Sequence, residues 1–524
     1  MRPSKGELRP MTDVIESKLC SADEAVGLIQ DGQTVASGGF VGAGHPEALT
    51  SALERRFVDT GRPRGLTLVY GAGQGDGDRR GANHFAHERL LKRVVGGHWG
   101  LAPKLGRLAL EGRIEAYNFP QGVLCELFRD IAAGRPGCIT HIGLDTFVDA
   151  SNDGGRLNAR TPAGLVERVE LGGRAWLWYK AFPIHVGLIR ATAADPLGNL
   201  VLDREALFGE VLPISQAAHN SGGVVIAQVA ELRDELAHPH TVRVPGILVD
   251  RVVLADRAEH EQTFAEPYNA GYCSALPRGK RPDLEPIPMG PRRIIAARAC
   301  DEIPPNAIVN LGIGMPEGIA RIAAERGLLD RFTLTVESGP IGGVPAGGLS
   351  FGASLCPHAV VDQPAQFDFY DGGGLDFAAL GAAQIDRRGN VNVSRYGAKL
   401  PGVGGFVNIT QTAKRVVFCG AFTSGGLEID VDDRGLTITR EGPVRKFVDA
   451  VDQISFSADR ARAVGQDVWY VTERAVFRLA QDGLELIEVA PGVDVQEHVL
   501  NCMAFTPIIQ EVRPMARHLF RALA

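Results

Sequence analysis

Of the residues in this chain, Glu337 has the sequence position best suited to a catalytic or ligand-binding role. It follows an apolar run at residues 332–336 and precedes a turn rich in glycine and proline at residues 338–343. The run predicts a β-strand, and the turn predicts that this strand ends at the carboxylate. Ligands of open α/β proteins bind in the crevice at the strand ends. A carboxylate there can be a nucleophile, a general base or an orienting group, or it can simply cap a turn or pair with an arginine.

A second candidate is the glycine-rich stretch at residues 401–406, PGVGGF, which follows Asn392 and Lys399. Its glycines are Gly402, Gly404 and Gly405. Glycines this dense allow backbone N–H groups to point into a cleft, where they can stabilise an oxyanion or a phosphate. The same spacing also suits a tight loop that binds nothing.

Three other patterns indicate less. Residues 71–77, GAGQGDG, follow a predicted strand but lack the glycine spacing and the helix of a dinucleotide fingerprint. Residues 348–352, GLSFG, match the letters of a serine nucleophile elbow, but a glycine-proline loop stands where the elbow needs a strand. His84 and His87 are one helical turn apart, and without a cysteine or acidic cluster beside them they do not predict a metal site.

Length and composition limit the class of protein. The 524 residues exceed one ordinary hydrophobic core, so two or more domains are expected. A net charge of −7 without a block of like charges argues against nucleic acid or a membrane surface as partner. The sequence has no apolar run near the roughly 20 residues of a membrane span, and residues 1–16 lack the apolar core of a secretory signal. The eight cysteines form no C-x-x-C pair and are typical of reduced thiols, so a cytoplasmic location is expected.

Similar pieces recur on either side of a proline-rich segment at residues 275–293, which predicts an extended linker. Residues 35–49 and 308–319 each combine an apolar strand, a glycine turn and a helix opened by Pro-Glu. Further along, residues 195–199 (DPLGN) match residues 386–390 (DRRGN). The repetition predicts an internal duplication of a whole domain, with chance similarity of two α/β domains as the alternative.

The duplication predicts one domain at residues 1–274 and a second at residues 294–524. Apolar strands alternate with helical patterns in each half, for instance a strand at residues 66–70 and a helix at residues 88–95. Such alternation is typical of parallel sheets covered by helices. The predicted fold class is therefore α/β: two duplicated open α/β domains with layered, mostly parallel sheets.

Over about residues 12–520 the chain resembles the family I coenzyme A transferases, most closely their single-chain acetate/propionate (short-chain acyl) branch. Residues 31–46 are similar to the α-type signature of that family, from an acidic-glycine pair through Gly-Gly-Phe to Gly-x-Pro, with Ser37 as a small departure. The 3-oxoacid branch carries Ser-Glu-Asn-Gly in its β-type domain. Residues 336–339 read VESG instead, which resembles the propionate-type branch, and residues 118–122 (NFPQG) are also similar to the family.

The resemblance implies that Glu337 is the catalytic nucleophile. In that family the glutamate attacks an acyl-CoA to give an acyl-glutamyl anhydride and then a glutamyl-CoA thioester, and a second carboxylate reverses the sequence. The backbone N–H groups of Gly404 and Gly405 are expected to stabilise the oxyanions. Asn392 and Gln121 are expected to orient Glu337 or the substrate carboxylate.

Further contacts to substrate or coenzyme A are expected from Gly38, Gly39, Phe40, Lys399 and Gly402. The expected partners are acyl-CoA and short-chain carboxylates of the acetate, propionate and butyrate type. Coenzyme A is then a substrate, no metal or redox cofactor is expected, and the family suggests a homodimer or homotetramer. Two alternatives stay open, namely an acyl-CoA thioesterase on the same scaffold and a non-catalytic ligand-sensing domain.

Overall fold

The computed structural model describes residues 12–274, 284–432 and 435–521. Residues 275–283 of the predicted linker thus lie outside the described residues, and residues 284–290 run without helix or strand. The end of the linker was predicted wrongly, because the helix Pro291–Cys300 begins inside it. Proline is tolerated at that point because it takes the first helical position, where its missing N–H costs no hydrogen bond.

The first half contains a main sheet and a small antiparallel sheet. The main sheet consists of β1 (Thr34–Ser37), β2 (Leu66–Tyr70), β3 (Leu91–Gly96), β4 (Glu115–Asn118), β8 (Val186–Ala194), β9 (Leu200–Val201), β10 (Val224–Leu232), β11 (Val242–Val244) and β12 (Arg251–Leu254). The small sheet consists of β5 (Gly137–Thr140), β6 (Val166–Leu171) and β7 (Arg174–Lys180). Within the described residues, the antiparallel pairs of the main sheet are β8–β9 and β9–β11, and the other pairs are parallel. The prediction of a mostly parallel sheet is confirmed.

The second half also has one main sheet. Its strands are β13 (Ile308–Leu311), β14 (Thr333–Thr335), β15 (Pro340–Ile341), β18 (Ala359–Val360), β19 (Phe377–Gly381), β22 (Arg415–Cys419), β27 (Asp467–Val471), β28 (Ala475–Ala480), β29 (Gly483–Val489) and β30 (Ile508–Pro514). Short antiparallel pairs are β16 (Val344–Pro345) with β17 (Ser354–Leu355), β20 (Gln384–Ile385) with β21 (Val391–Asn392), β23 (Thr423–Ser424) with β26 (Val444–Arg445), and β24 (Glu428–Asp432) with β25 (Gly435–Arg440). The centre is parallel, antiparallel pairs follow towards both edges, and the outermost pair on one edge, β29–β30, is parallel again.

Helices cover the sheets. They are α1 (Thr12–Glu16), α2 (Ala22–Val26), α3 (Glu47–Thr60), α4 (Pro103–Leu110), α5 (Gln121–Ala132), α6 (Val211–Asn220), α7 (Pro291–Cys300), α8 (Gly318–Glu325), α9 (Gln363–Asp371), α10 (Phe406–Thr412), α11 (Ala458–Ala463) and α12 (Val495–His498). Helix α3 begins at the predicted Pro-Glu, with Glu47 in its first turn where the helix dipole favours a negative charge. Within the described residues, no helix is both long and apolar enough to cross a membrane.

The predicted duplication is visible in the strand order. Five neighbouring parallel strands run β12-β10-β8-β1-β2 in the first half and β27-β22-β19-β13-β14 in the second. Parallel neighbours require crossover connections of one hand, so an identical order in both halves means that the whole connectivity is repeated. The end of β2 therefore corresponds to the end of β14.

The two matched turns at residues 195–199 and 386–390 have the same hydrogen bonds. In the first turn one Oδ of Asp195 accepts from the N–H of Asn199 at 3.0 Å, and the other accepts from its side-chain amide at 2.9 Å. In the second turn Asp386 accepts the equivalent bonds from Asn390 at 2.9 and 3.0 Å. An aspartate and an asparagine four residues apart thus lock each turn in the same way.

The helix predicted at residues 88–95 is wrong. This stretch forms a turn followed by strand β3, which is hydrogen-bonded to β2 on one side and β4 on the other. Its apolar residues are Leu90, Leu91, Val94 and Val95, a spacing that imitates one face of a helix. A strand buried between two parallel neighbours is apolar on both faces and need not alternate, so periodicity does not distinguish the two structures here.

The two halves pack directly against each other. The Gln121 N–H donates to Gly404 O at 2.9 Å, and the Gly404 N–H donates to Gly97 O at 2.8 Å. The Gly122 N–H donates to Asn408 Oδ1 at 3.1 Å. One hydrophobic core cluster contains residues of both halves. The start of α5 and the glycine loop at residues 401–405 therefore meet at the seam between the halves.

Candidate active site

Glu337 lies at this seam, two residues beyond the end of β14. Its side chain is buried, and Oε2 accepts a hydrogen bond of 3.0 Å from Asn310 Nδ2 on the neighbouring strand β13. The turn that follows needs a glycine, because Gly339 has a φ of 126° and a Cβ there would lie 2.0 Å from Val361 O. The prediction of a strand followed by a sharp turn at the carboxylate is confirmed.

Burial raises the pKa of Glu337, since a charged carboxylate loses hydration in the interior. The hydrogen bond from Asn310 works in the opposite direction and favours the ionised form. A carboxylate with few hydrogen bonds and little water is a stronger nucleophile than a solvated one. The environment therefore suits a group that attacks a carbonyl.

Asn310 is itself held by a buried network. Its Nδ2 also lies 3.4 Å from Tyr370 Oη. The Tyr370 hydroxyl in turn donates to Thr335 Oγ1 at 2.7 Å and accepts from Gln366 Nε2 at 3.1 Å. Tyr370, Thr335 and Gln366 are all buried. This network joins α9 to β13 and β14, so the amide that contacts Glu337 is fixed in place from two elements.

Gly404 and Gly405, the two glycines predicted as oxyanion donors, make different contacts. The Gly404 N–H already donates to Gly97 O at 2.8 Å, so in this conformation it is engaged and does not serve as a free donor. Gly405 caps the start of α10, and a Cβ built on it would lie 3.5 Å from Glu337 Cγ. The structure therefore brings Gly405 next to Glu337, while Gly404 holds the loop to the first half.

Gly402 shapes the same loop. Its φ is 74°, and a Cβ there would lie 2.9 Å from Trp99 Cδ1, so only glycine fits without strain. Its N–H donates to Ser394 O at 3.0 Å. The predicted contact of Gly402 with substrate is untested, but its structural role is clear: it lets the loop pack against the first half.

Gln121 lies at the start of α5, opposite the glycine loop. It is 2% exposed, and its Nε2 has no hydrogen-bond partner within the described part of the chain. A Cβ built on Gly404 would lie 3.6 Å from its Oε1. An orphaned amide donor inside the seam is costly unless a ligand or water accepts from it, which is consistent with the predicted role in holding a substrate.

Asn392 does not reach Glu337. Its Nδ2 donates to Gln384 Oε1 and to Arg395 O, both at 2.7 Å, and its Oδ1 accepts from the Ser394 N–H at 3.0 Å. The predicted orientation of Glu337 by Asn392 is therefore corrected: this side chain organises the turn that leads into the glycine loop. Lys399 is exposed in the hairpin that follows, where its backbone pairs with Tyr396.

The first-half signature packs beside the turn after Glu337. The ring of Phe40 lies 5.8 Å from that of Phe351, and a Cβ on Gly352 would lie 2.4 Å from Phe40 Cδ1. Gly352 O accepts from the Oγ of Ser338, the residue that follows Glu337 in sequence. The signature thus supports the wall of the site.

The two glycines before Phe40 are needed for the backbone. The Gly38 N–H donates to Leu188 O at 3.0 Å, and a Cβ on Gly39 would lie 2.9 Å from His45 Cα. These contacts place both glycines at the end of β1, against β8 and the loop that opens α3. Whether they also contact substrate stays a prediction.

The weaker motifs have other roles. Residues Gly348–Ser350 form a single 3-10 turn in a loop, and Ser350 Oγ lies 2.8 Å from Thr263 Oγ1, so the serine elbow is absent at this place. His84 and His87 both contact the Glu54 carboxylate, at 2.6 and 2.8 Å.

Relatives of known activity decide the family. The chain is 42% identical over 504 residues to the acetate CoA-transferase YdiF of Escherichia coli K12, across 95% of this chain and 94% of that one. It belongs to the coenzyme A transferase family. The family model "Coenzyme A transferase" matches residues 20–255 of this CoA-transferase. The caffeate CoA-transferase of Acetobacterium woodii is 41% identical over 516 residues, across 96% of this chain and 97% of that protein.

A solved structure agrees with these relatives. The crystal structure of the acyl-CoA transferase YdiF apoenzyme from Escherichia coli O157:H7 superposes with a TM-score of 0.92 and 40% identity, across 97% of both chains. The resemblance inferred from the sequence is thereby confirmed, as is the α/β fold class. Apart from the end of the linker, the domain boundaries stay a prediction.

Several residues of the candidate site are not predicted by the sequence. Asn310 was seen only as part of an apolar strand, although a polar residue inside such a run was a usable signal. Tyr370 and Gln366 carried no signal, because their role depends on α9 crossing the ends of β13 and β14. Glu210 likewise carried no signal, because its burial directly before α6 depends on the packed molecule.

Proposed function

We propose that this CoA-transferase moves coenzyme A between a short-chain acyl-CoA and a carboxylate acceptor, by a ping-pong mechanism through a glutamyl-CoA thioester on Glu337. The single observation that carries the proposal is the position of Glu337: a buried carboxylate at a strand end, in the seam between two halves. An acid placed merely to cap a turn would gain nothing from this burial, which costs free energy.

The reaction conserves the energy of the thioester. One Glu337 oxygen attacks the acyl carbonyl, and coenzyme A leaves as its thiolate, which gives a mixed anhydride. The thiolate then attacks the Glu337 side-chain carbonyl, the first carboxylate leaves, and the glutamyl-CoA thioester remains. A second carboxylate attacks this thioester, the thiolate returns to the new acyl carbonyl, and Glu337 is released as a carboxylate. Atoms and charges balance, and no cofactor beyond substrate coenzyme A is part of the proposal.

Each addition forms an oxyanion that needs a hydrogen-bond donor. Gly405 supports this role, since its Cβ position is 3.5 Å from Glu337 Cγ and its N–H is at the start of a helix. Gln121 Nε2 is a second buried donor in the seam. One well-placed donor typically contributes about 3 kcal/mol to such a transition state.

The acyl group is proposed only as a class. Relatives at 42% and 41% identity are named for acetate and for caffeate, so similarity alone does not choose between a small and a large acyl chain. A crystal structure of YdiF from Escherichia coli O157:H7, 40% identical with a TM-score of 0.91, contains a thioester complex with CoA. That complex supports a thioester intermediate here.

The mechanism predicts covalent capture on one residue. Incubation with acetyl-CoA alone should make the enzyme sensitive to borohydride, which reduces the thioester, and peptide mass analysis should place the change on Glu337. A Glu337→Ala variant should lose both capture and transfer. Glu428→Ala, at an exposed carboxylate of the same half, is the matched control. Label on another residue, or full activity of Glu337→Ala, would disprove the mechanism.

Hydrolysis of acetyl-CoA without an acceptor would instead identify the protein as an acyl-CoA thioesterase. A transferase consumes acetyl-CoA continuously only when an acceptor carboxylate is present, whereas a thioesterase does so in its absence. The same assay, run with and without butyrate, measures this ratio. A homodimer or homotetramer stays part of the proposal, and light scattering of the purified chain would measure it.

A further inference from the structure

Glu210 is a second buried carboxyl group near the seam. It lies directly before α6 and is fully buried, and neither carboxyl oxygen has a hydrogen-bond partner among the described residues. The N–H groups of Gly71 and of Glu210 itself lie nearby, but neither reaches the carboxyl with hydrogen-bond geometry. An unsatisfied carboxyl in the interior is costly, so its retention points to a ligand.

Glu210 has two polar neighbours from different halves. A Cβ built on Gly71 would lie 3.3 Å from Glu210 Oε1, 3.4 Å from Cys125 Sγ and 3.5 Å from Gln363 Nε2. Gln363 Nε2 lies 2.9 Å from Cys125 Sγ, and Gln363 Oε1 is buried without a partner in the described chain. The Gln363 N–H also donates to Gly209 O at 2.9 Å, which fixes its helix beside Glu210.

Two helices connect this group with the catalytic site. Helix α5 carries Gln121 beside the glycine loop and, four residues on, Cys125 beside Glu210. Helix α9 carries Gln363 beside Glu210 and, four residues on, Phe367, whose Cζ lies 3.4 Å from the Cβ position of Gly405. Four residues of helix rise about 6 Å. Along both helices, the contacts with Glu210 are therefore offset by roughly one turn from the contacts with the glycine loop beside Glu337.

We infer that Glu210 and Gln363 form the closed end of the acyl pocket and select acyl groups with a hydroxyl on the third carbon. This inference rests on the proposed function of Glu337. A carbonyl held at Glu337 and a hydroxyl on the third carbon are about 4 Å apart, and a hydrogen bond adds about 2.8 Å. The sum is about 7 Å, which is close to the rise of about 6 Å for four residues along α5 and α9.

The hydrogen-bonding groups are complementary to a hydroxyl. Burial raises the pKa of Glu210 to about 8, so the carboxyl keeps its proton near neutral pH and can donate. Gln363 Oε1 can only accept. A hydroxyl can accept a hydrogen bond from the Glu210 carboxyl and donate one to Gln363 Oε1 at the same time. A keto oxygen cannot donate, so it would leave Gln363 Oε1 unsatisfied. An alkyl chain would leave both the Glu210 carboxyl and Gln363 Oε1 unsatisfied.

The test compares matched acceptors within each variant. Acetyl-CoA is the donor, and butyrate, 2-hydroxybutyrate and 3-hydroxybutyrate are the acceptors, read as kcat/KM. The wild type should favour 3-hydroxybutyrate over butyrate by about ten-fold, and over 2-hydroxybutyrate by a similar factor. Glu210→Leu should reverse the preference between 3-hydroxybutyrate and butyrate. Glu210→Gln should keep part of it, because an amide still donates.

Glu126→Gln is the matched control. Glu126 is on the same helix as Cys125 and burial likewise raises its pKa to about 8, but it faces Arg129 and Asp368. Its acceptor ratios should equal those of the wild type. If Glu210→Leu does not fold, Gln363→Leu replaces it and should lower the 3-hydroxybutyrate to butyrate ratio about ten-fold.

Three results would overturn the inference: no wild-type preference, ratios unchanged in Glu210→Leu or Gln363→Leu, or equal use of the two hydroxybutyrates. Borohydride capture by acetyl-CoA alone separates this failure from a failure of the proposed function. If Glu337 is captured but the ratios do not change, only the role of Glu210 is wrong. If Glu337 is never captured in the wild type, the mechanism itself is wrong.

Discussion

Asn310 Nδ2 lies 3.0 Å from Glu337 Oε2 and donates a hydrogen bond to it. The two side chains come from neighbouring parallel strands, and both are buried. The bond fixes one carboxylate oxygen, and in the proposed mechanism the other oxygen attacks the thioester. It is also the side-chain contact that counteracts the rise in the pKa of Glu337 caused by burial.

Replacing Asn310 by alanine should slow formation of the Glu337 thioester by about ten- to hundred-fold, because the nucleophile loses its orientation. Single-turnover reaction with acetyl-CoA measures this rate. Asn390→Ala is the control, since Asn390 is equally a buried asparagine of the second half but bonds to Asp386. Equal losses in both variants would mean that the effect is on folding and not on Glu337.

The pH dependence of thioester formation should report the raised pKa of Glu337. Only the carboxylate attacks, so the rate falls as pH drops through this pKa, and the fall should begin above the ordinary glutamate value of 4.5. Asn310→Ala should move the fall to still higher pH, because it removes a bond that lowers the pKa. A fall centred at or below 4.5 in the wild type would contradict the buried nucleophile.

Gly405→Ala should impair chemistry more than stability. The φ of Gly405 is −78°, which alanine adopts freely, but the added methyl would lie 3.3 Å from Ile409 Cδ1, 3.4 Å from Phe367 Cζ and 3.5 Å from Glu337 Cγ. Thioester formation should slow at least about ten-fold with little change in Tm. Gly404→Ala is the contrast: its φ of 51° predicts a stability loss of about 1–3 kcal/mol.

Gln121→Leu should lower activity without lowering stability. The substitution removes a buried amide whose Nε2 is unsatisfied in the described structure, and an apolar side chain of similar size avoids that penalty. We expect an unchanged or higher Tm, together with a loss of about ten-fold or more in kcat/KM for the acceptor carboxylate. A marked fall in Tm would instead indicate that Gln121 is structural.

His84 should stabilise the first half in a defined pH window. Burial disfavours its charged form, but hydrogen bonds to Glu47 and Glu54 outweigh this and raise its pKa to about 9. For a raised pKa the contribution is complete below the unfolded value of 6.5 and is lost as pH rises through 9. Burial alone would raise the pKa of Glu54, but hydrogen bonds from His84 and His87 outweigh burial and lower this pKa to about 2. The contribution of Glu54 to stability is therefore present above pH 4.5 and is lost as pH falls through 2.

His84→Gln should therefore cost about 1–3 kcal/mol of unfolding free energy, most between pH 4.5 and 6.5, with the difference shrinking towards pH 9. Urea unfolding at several pH values measures it. His240→Gln, at an exposed histidine, is the control. A cost that does not vary with pH would show that the charged form of His84 contributes nothing.

Local sequence determined the parts of this protein that depend on neighbouring residues. A run of β-branched residues ended by glycine and proline placed Glu337 at a strand end, because turn chemistry is set within a few residues. The matched turns at residues 195–199 and 386–390 revealed the duplication for the same reason. The spacing at residues 88–95 predicted a helix where a strand forms, because a strand between two parallel neighbours and one face of a helix share that pattern.

Only the tertiary structure decided which groups meet. Asn310 reaches Glu337 because β13 and β14 are neighbours, and Gly404 is engaged because its loop pairs with the first half. Glu210 and Gln363 are far apart in the chain and meet only where α6 and α9 come together across the seam. Their unsatisfied oxygens became visible only through burial, which is a property of the packed molecule and not of a sequence position. The sequence by itself therefore determined that Glu337 stands at a strand end before a sharp turn, and the packing of the two halves decided which groups contact it and in which direction its pKa shifts.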